Sequence, residues 1–198
     1  MYLAPDQKKI LWAFLLAFLG FTTIFIIQKN FEFMGYVVIV AILLFVMLFS
    51  NKQVKYPNFV LWGLLVWAVF HMLGGVQMPS GDVFYTLMLY PIIGEPYNIL
   101  KYDQVVHAFG FFVGTLVMFT VLRKHLNASF SWKAVSVVVV MAGLGLGALN
   151  EIVEFFMTVV LPNTNVGGYE NTALDLVFNF LGALIAMIFI KRYQNEFK

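Results

Sequence analysis

Six apolar runs, each about long enough to cross a bilayer, dominate this chain and leave it few folds. They cover about residues 10–27, 33–49, 58–78, 103–122, 134–160 and 173–190. A hydrocarbon core of about 30 Å needs roughly 20 apolar residues at about 1.5 Å each. Between the runs lie only short polar or turn-forming joints, such as Gln28-Lys29-Asn30, Ser50-Asn51-Lys52-Gln53 and Leu161-Pro162-Asn163-Thr164-Asn165. No soluble domain of useful size fits between them. In lipid the backbone must satisfy its own hydrogen bonds, so runs of this length are read as helices. The expectation is an all-α fold, a polytopic integral membrane helical bundle with six transmembrane helices, forming a single transmembrane domain over residues 1–198. The first run follows Lys8-Lys9 but lacks a small-residue cleavage site and is followed at once by another run, so it reads as a retained span. Composition agrees: 62% of residues are hydrophobic and 11% charged, against about 25% charged in soluble domains.

Basic residues set the orientation. Lys8, Lys9, Lys52, Lys55, Arg123, Lys124, Lys133, Lys191, Arg192 and Lys198 fall on the side of the N-terminus, and only Lys29 and Lys101 fall on the other. This asymmetry predicts both termini inside. Residues 81–94 (GDVFYTLMLYPIIG) are apolar, bounded by glycine and interrupted by Pro91, yet too short to span. They read as a re-entrant or interfacial segment on the outside.

Ionisable residues within the spans are few, and their depths agree. His71 lies roughly 20 Å from the inner end of the third span, counted at about 1.5 Å per residue. Asp103 and His107 open the fourth span, Glu151 and Glu154 lie in the last third of the fifth, and Asp175 and Asn179 open the sixth. All fall in the outer third. Asp103 and His107 share a face at i,i+4. Glu151 and Glu154 do so at i,i+3, with Asn150 beside them. Asn171, Asp175 and Asn179 form a stripe that continues to Gly182. Lipid cannot solvate these groups, so their faces should turn inward and meet. Gly110, Gly114, Gly143 and Gly147 supply small faces for close helix contact. The first two spans are expected to contribute packing only.

Four carboxylates with Lys101 as the nearby base call for a bound cation, shared protons or water access from outside. With no cysteine, a metal site would use nitrogen and oxygen donors, which suits a divalent ion of the Zn, Mn, Fe or Mg kind. The ligand candidates are His71, His107, Glu151, Glu154 and Asp175. Glu151, Glu154, His107 and Asp175 are the catalytic candidates, and Asn150, Asn179 and Asp103 are candidates for substrate contact. Bland readings stand beside these: Asp103 suits a helix cap, His71 a satisfied bundle histidine, and Asp175 a bridge between helices.

The segments FHMLGG (70–75), YDQVVHAFGFFVG (102–114), LNEIVEFF (149–156) and NTALDLVFNFLGALIA (171–186) occur in that order. The pattern resembles that of the YjdF-like bacterial inner-membrane proteins and is more distantly similar to the VanZ-like family associated with teicoplanin resistance. The resemblance covers roughly residues 65–186. It implies a multi-pass protein of the bacterial cytoplasmic membrane whose polar signature is His71, Asp103, His107, Glu151, Glu154, Asp175 and Asn179. It implies no reaction.

Three functions therefore stay open. The leading one is an outward-facing intramembrane site, metal-dependent or proton-sharing, that acts as a hydrolase or transferase on a lipid or envelope-linked substrate, with Gly81–Gly94 as lid or lateral gate. The others are a small proton- or ion-coupled permease and a non-catalytic membrane assembly subunit. The bilayer is the expected partner, a homo-oligomer is compatible with the sequence, and no nucleic acid is expected. The cysteine-free chain makes the orientation directly measurable. A cysteine placed at Ser80 should react with an impermeant thiol reagent in intact cells and one at Ser131 should not; the opposite pattern would invert the topology.

Overall fold

The computed structural model describes residues 3–127 and 129–197; Lys198, counted above with the inside residues, lies outside them. Among the described residues the chain forms α1 (Pro5–Gln28), α2 (Phe31–Val54), α3 (Asn58–Gly74), α4 (Tyr102–Leu122), α5 (Trp132–Val160) and α6 (Tyr169–Arg192). A short hairpin of β1 (Met88–Ile93) and β2 (Ile99–Lys101) stands between α3 and α4. Five of the helices are long and apolar enough to cross a membrane, while α3 is a shorter apolar helix. The protein is a multi-pass helical membrane bundle.

The helix ends have local causes. Lys29 and Lys55 adopt left-handed backbone angles (φ 52° and 54°) that stop α1 and α2, and Pro57 then precedes α3. The Asn30 side chain accepts from Phe33 N at 3.1 Å and donates to Gly75 O at 2.9 Å, capping α2 and tying it to the end of α3. The third apolar run was expected to stay helical to about 78, but the helix stops at Gly74. Residue 77 instead forms a β-bridge with Val83. Glycines are poor helix formers, and a Cβ on Gly74 would run into the Tyr85 ring, one on Gly75 into the Phe33 ring. The segment 81–94 is a short 3-10 turn (Phe84–Thr86) running into β1. A two-stranded hairpin has open edges that hydrocarbon would not tolerate, so of the two readings offered for this segment the hairpin suits an interfacial one.

Two apolar cores hold the bundle. One joins α1, α2 and α3 through Phe14, Phe25, Phe33, Val40, Leu65 and Met72. The other fills the inner end of α4, α5 and α6 with Leu116, Phe119, Val139, Ala186, Met187 and Ile190. Phe197, from the C-terminal turn, seals that end edge-on against Phe59 and Phe119, each at 5.1 Å between ring centres. Helix α4 is central, packing on α3, α5 and most extensively on α6. The approach to α6 is set by Gly182, where a Cβ would strike the backbone at Ala108 O and Phe112 N. Gly143 faces Thr115 and Ala183, and Gly147 faces Asn179. Gly110 abuts Trp67 of α3, whereas Gly114 makes only ordinary contacts.

A methyl group on Gly182 cannot be absorbed by a flexible side chain, because backbone is what it meets. Gly182→Ala should lower unfolding stability in detergent by about 1–3 kcal/mol, the usual cost of overpacking. Gly20→Ala, where a Cβ meets nothing within 4 Å, should be neutral or slightly stabilising. Equal effects at both positions would remove Gly182 from its role in setting the α4–α6 distance.

Candidate functional site

The outer half of α4 carries Asp103 and His107 one turn apart, facing α6 and α5. The His107 ring is buried and touched on both nitrogens. Nε2 lies 3.5 Å from Asp103 Oδ1, while Nδ1 lies 3.0 Å from Asn179 Oδ1 and 3.8 Å from Glu151 Oε1. From α6, Asn171 donates to Asp175 Oδ2 at 2.6 Å and to Asp103 Oδ2 at 3.4 Å, and its own carbonyl accepts from Lys101 Nζ at 3.4 Å. From α5, Asn150 donates to Glu154 Oε1 at 2.7 Å. His107 is therefore common to two sets of converging donors, one with Asp103 and Asp175 and one with Glu151 and Glu154. The donor atoms within each set lie within 4.8 Å of one another.

Several buried polar atoms here have no hydrogen-bond partner: both oxygens of Glu151, Asp175 Oδ1, Asn179 Nδ2 and Gln104 Nε2. Asp175 and Asn179 have 0% exposure. Buried polar groups are normally paired, so this concentration marks the place where the bundle's polar demand is not met from within. Among the described residues no Lys or Arg forms an ion pair with Asp103, Glu151, Glu154 or Asp175.

His71 lies beside this cluster and in neither donor set. Tyr85, from the 3-10 turn before the hairpin, sets its hydroxyl 2.6 Å from His71 Nδ1. Trp67 stacks on the ring at 5.5 Å and Tyr36 meets it edge-on at 5.4 Å. Burial, reinforced by the negative fields of Asp103 and Glu154, pushes the Tyr85 hydroxyl well above its ordinary range. The phenol therefore stays protonated and available as a donor to His71.

The second span does more than pack. Phe33 and Tyr36 contact the His71 ring, Tyr36 also lies within electrostatic reach of Glu154 and Glu151, and buried Glu32 accepts from Asn165 N and Nδ2, both at 2.8 Å. These contacts correct the expectation for α2. Glu32, close to the start of its span, had the same outer depth as the recognised acids and was the available signal. Tyr85 had none beyond its place in 81–94. Gln104 accepts from Leu100 N at 2.6 Å and Lys101 N at 3.1 Å, which fixes the start of α4. Asn150 holds Glu154, and Asn179 holds His107, where the sequence had suggested substrate contact for both.

The sequence profile of a family described as "Predicted membrane protein (DUF2238)" matches residues 9–196. The chain belongs to this family. A protein of Thermotoga maritima, described as "Uncharacterized protein", is 33% identical over 129 residues, an alignment that takes in 61% of this chain and 64% of the relative. The match thus spans less than two thirds of the relative's length. No solved structure matches the chain.

In this DUF2238 chain the Tyr85–His71 contact is a buried polar link between the outer hairpin segment and the bundle. Tyr85→Phe keeps the ring and its packing but leaves His71 Nδ1 buried without its partner, an omission that costs about 1–3 kcal/mol. Denaturant unfolding in detergent should show a loss in that range; an unchanged midpoint would mean the hydroxyl contributes nothing to closure.

Proposed function

We propose that this DUF2238 protein is a membrane enzyme, a hydrolase or transferase, that holds a divalent cation at His107. It acts on a lipid or a lipid-linked envelope precursor reaching the site from the outer side. The single observation that carries this reading is the position of His107, buried at the meeting point of two carboxylate sets whose four acids, among the described residues, form no ion pair with a Lys or Arg. Ionised acids in a membrane are costly, and a divalent ion removes that cost while making the site a Lewis acid. His71 belongs beside the site, with the Tyr85 segment as its cover. YjdF-like kinship and residence in a bacterial cytoplasmic membrane belong to the same proposal, supported by the motif order and the family match.

Hydrolysis needs no redox partner at such a site. The attacking water gives its proton to a carboxylate that the cation leaves free, and the departing oxygen takes a proton back. The permease reading has less support. The inner ends of α4, α5 and α6 are closed by a buried apolar core and by Phe197, so a conducted ion would have to cross hydrocarbon-like packing. Proton sharing among the acids would also balance charge, and the following measurement separates it from a bound cation.

Protein purified in detergent and supplied with zinc and manganese should retain a stoichiometric divalent ion after desalting. His107→Gln should lose that ion while keeping its helical circular-dichroism spectrum, because His107 is shared by both donor sets. Wild-type protein that stays metal-free under these conditions would sink the metalloenzyme reading and leave proton sharing.

A further inference from the structure

His107 offers a different nitrogen to each donor set, and a neutral imidazole has only one lone pair for a cation. Which nitrogen carries the hydrogen decides which set is the ligand set. Both neighbours of Nδ1 are oxygen acceptors, Asn179 Oδ1 at 3.0 Å and Glu151 Oε1 at 3.8 Å. Asn179 Oδ1 is the nearest of the acceptors around the ring, nearer than Asp103 Oδ1 at 3.5 Å from Nε2, so the N–H goes to Nδ1 and the Nε2 lone pair is left facing Asp103. A metal-binding histidine generally has its other ring nitrogen fixed in this way by an oxygen acceptor.

The acids on the Nε2 side are held for the same task. The Asn171 carbonyl is taken by Lys101 Nζ, so its amide nitrogen is the end that faces the acids, and it binds Oδ2 of both Asp175 and Asp103. Each acid is thereby gripped by one oxygen and presents the other. Asp103 Oδ1 faces Nε2 at 3.5 Å. Asp175 Oδ1 is fully buried and unpartnered. The other pair is held differently: Asn150, an amide on the glutamates' own helix, occupies one Glu154 oxygen and also acts on Glu151, so no amide from a second helix orients either acid.

We infer that Asp103 Oδ1, His107 Nε2 and Asp175 Oδ1 are the protein ligands of the cation. Asn171 and Asn179 are positioning residues for that triad, and Glu151 and Glu154 stay outside the coordination sphere as the proton-handling pair. This rests on the reading that His107 holds a divalent ion. Two carboxylates and one histidine form an oxygen-rich set that suits manganese, magnesium or ferrous iron better than a thiophilic metal, and three protein ligands leave positions open for water and substrate.

Cobalt(II) titration of the detergent-solubilised protein, read by its visible absorption and by metal content after desalting, tests the assignment. Asp103→Asn and Asp175→Asn should each weaken cobalt binding at least tenfold. Asn171→Ala should weaken it by about 10–100-fold, the usual consequence of removing an orienting partner. Glu151→Gln and Glu154→Gln should leave both affinity and spectrum unchanged. Loss of the ion or an altered spectrum in either glutamine variant would overturn the assignment while leaving a cation at His107 intact, as would full retention in both asparagine variants. If Asp175→Asn fails to fold, Asp103→Asn and the two glutamine variants still decide. Wild-type protein that binds no cobalt would bring down the underlying metal reading together with this one.

Discussion

Hydrocarbon cannot solvate a carboxylate, and this bundle gathers four of them around His107 within its apolar helices. The cost of leaving even one such group to lipid is at least about 2.5–3.5 kcal/mol at mid-membrane. The polar faces of α4, α5 and α6 must therefore turn to one another, and the helices must come close enough for short amide and acid side chains to meet. Gly182 allows the backbone of α6 to lie against that of α4, and Gly147 leaves room for Asn179 beside α5. The polar cluster and the small residues are thus one solution. Without the glycines, Asn179 could not reach His107 and Asn171 could not bridge two aspartates.

The same constraint divides the bundle along its length. Toward the inside, the last three helices are packed with Leu116, Phe119, Val139, Met187 and Ile190. The buried Thr115 and Thr120 bond to their own helix at Phe111 O and Leu116 O, placing no demand on neighbours. Toward the outside, the cluster is covered by segments tied down through polar contacts, Tyr85 to His71 and Asn165 to Glu32. Beyond Tyr85 the hairpin leaves Leu89, Tyr90, Ile92 and Tyr97 exposed, a mixture of aliphatic and tyrosine side chains suited to the membrane–water boundary. The polar cluster is thus closed off by apolar packing at its inner end.

Much of this was legible in the sequence, for definite reasons. Run length gives spans, because bilayer thickness fixes it. Helical spacing gives faces, so Asp103 with His107, and Asn171 with Asp175 and Asn179, could be placed together before their partners were known. Partners across helices are another matter. The sequence cannot say that Asn150 binds Glu154 while Asn171 binds two aspartates, since both asparagines sit one turn from an acid. It also gave no means to see Tyr85 folding back onto His71, because that contact depends on where α3 stops. The stop at Gly74 lies inside an apolar run whose hydropathy continues to residue 78, and the two glycines end the helix there because the rings of Tyr85 and Phe33 pack on them. Glu32 is illegible for the opposite reason: an acid in the first turn of a helix is ordinary capping chemistry, and its burial under Asn165 is a tertiary fact.

The choice of amides over bases in this cluster carries its own argument. An arginine or lysine placed where Asn150, Asn171 and Asn179 stand would satisfy the acids more strongly and cancel their charge permanently. An asparagine holds a carboxylate or an imidazole in a fixed direction and changes the charge of the site by nothing. Lys101, the one base at hand, is spent on the Asn171 carbonyl and orients an amide. A purely structural polar network has no reason to leave four acids uncompensated, since a fully paired one is the more stable arrangement in a low-dielectric bundle. Geometry fixed by neutral groups, with charge left over, is what the proposed cation site at His107 requires.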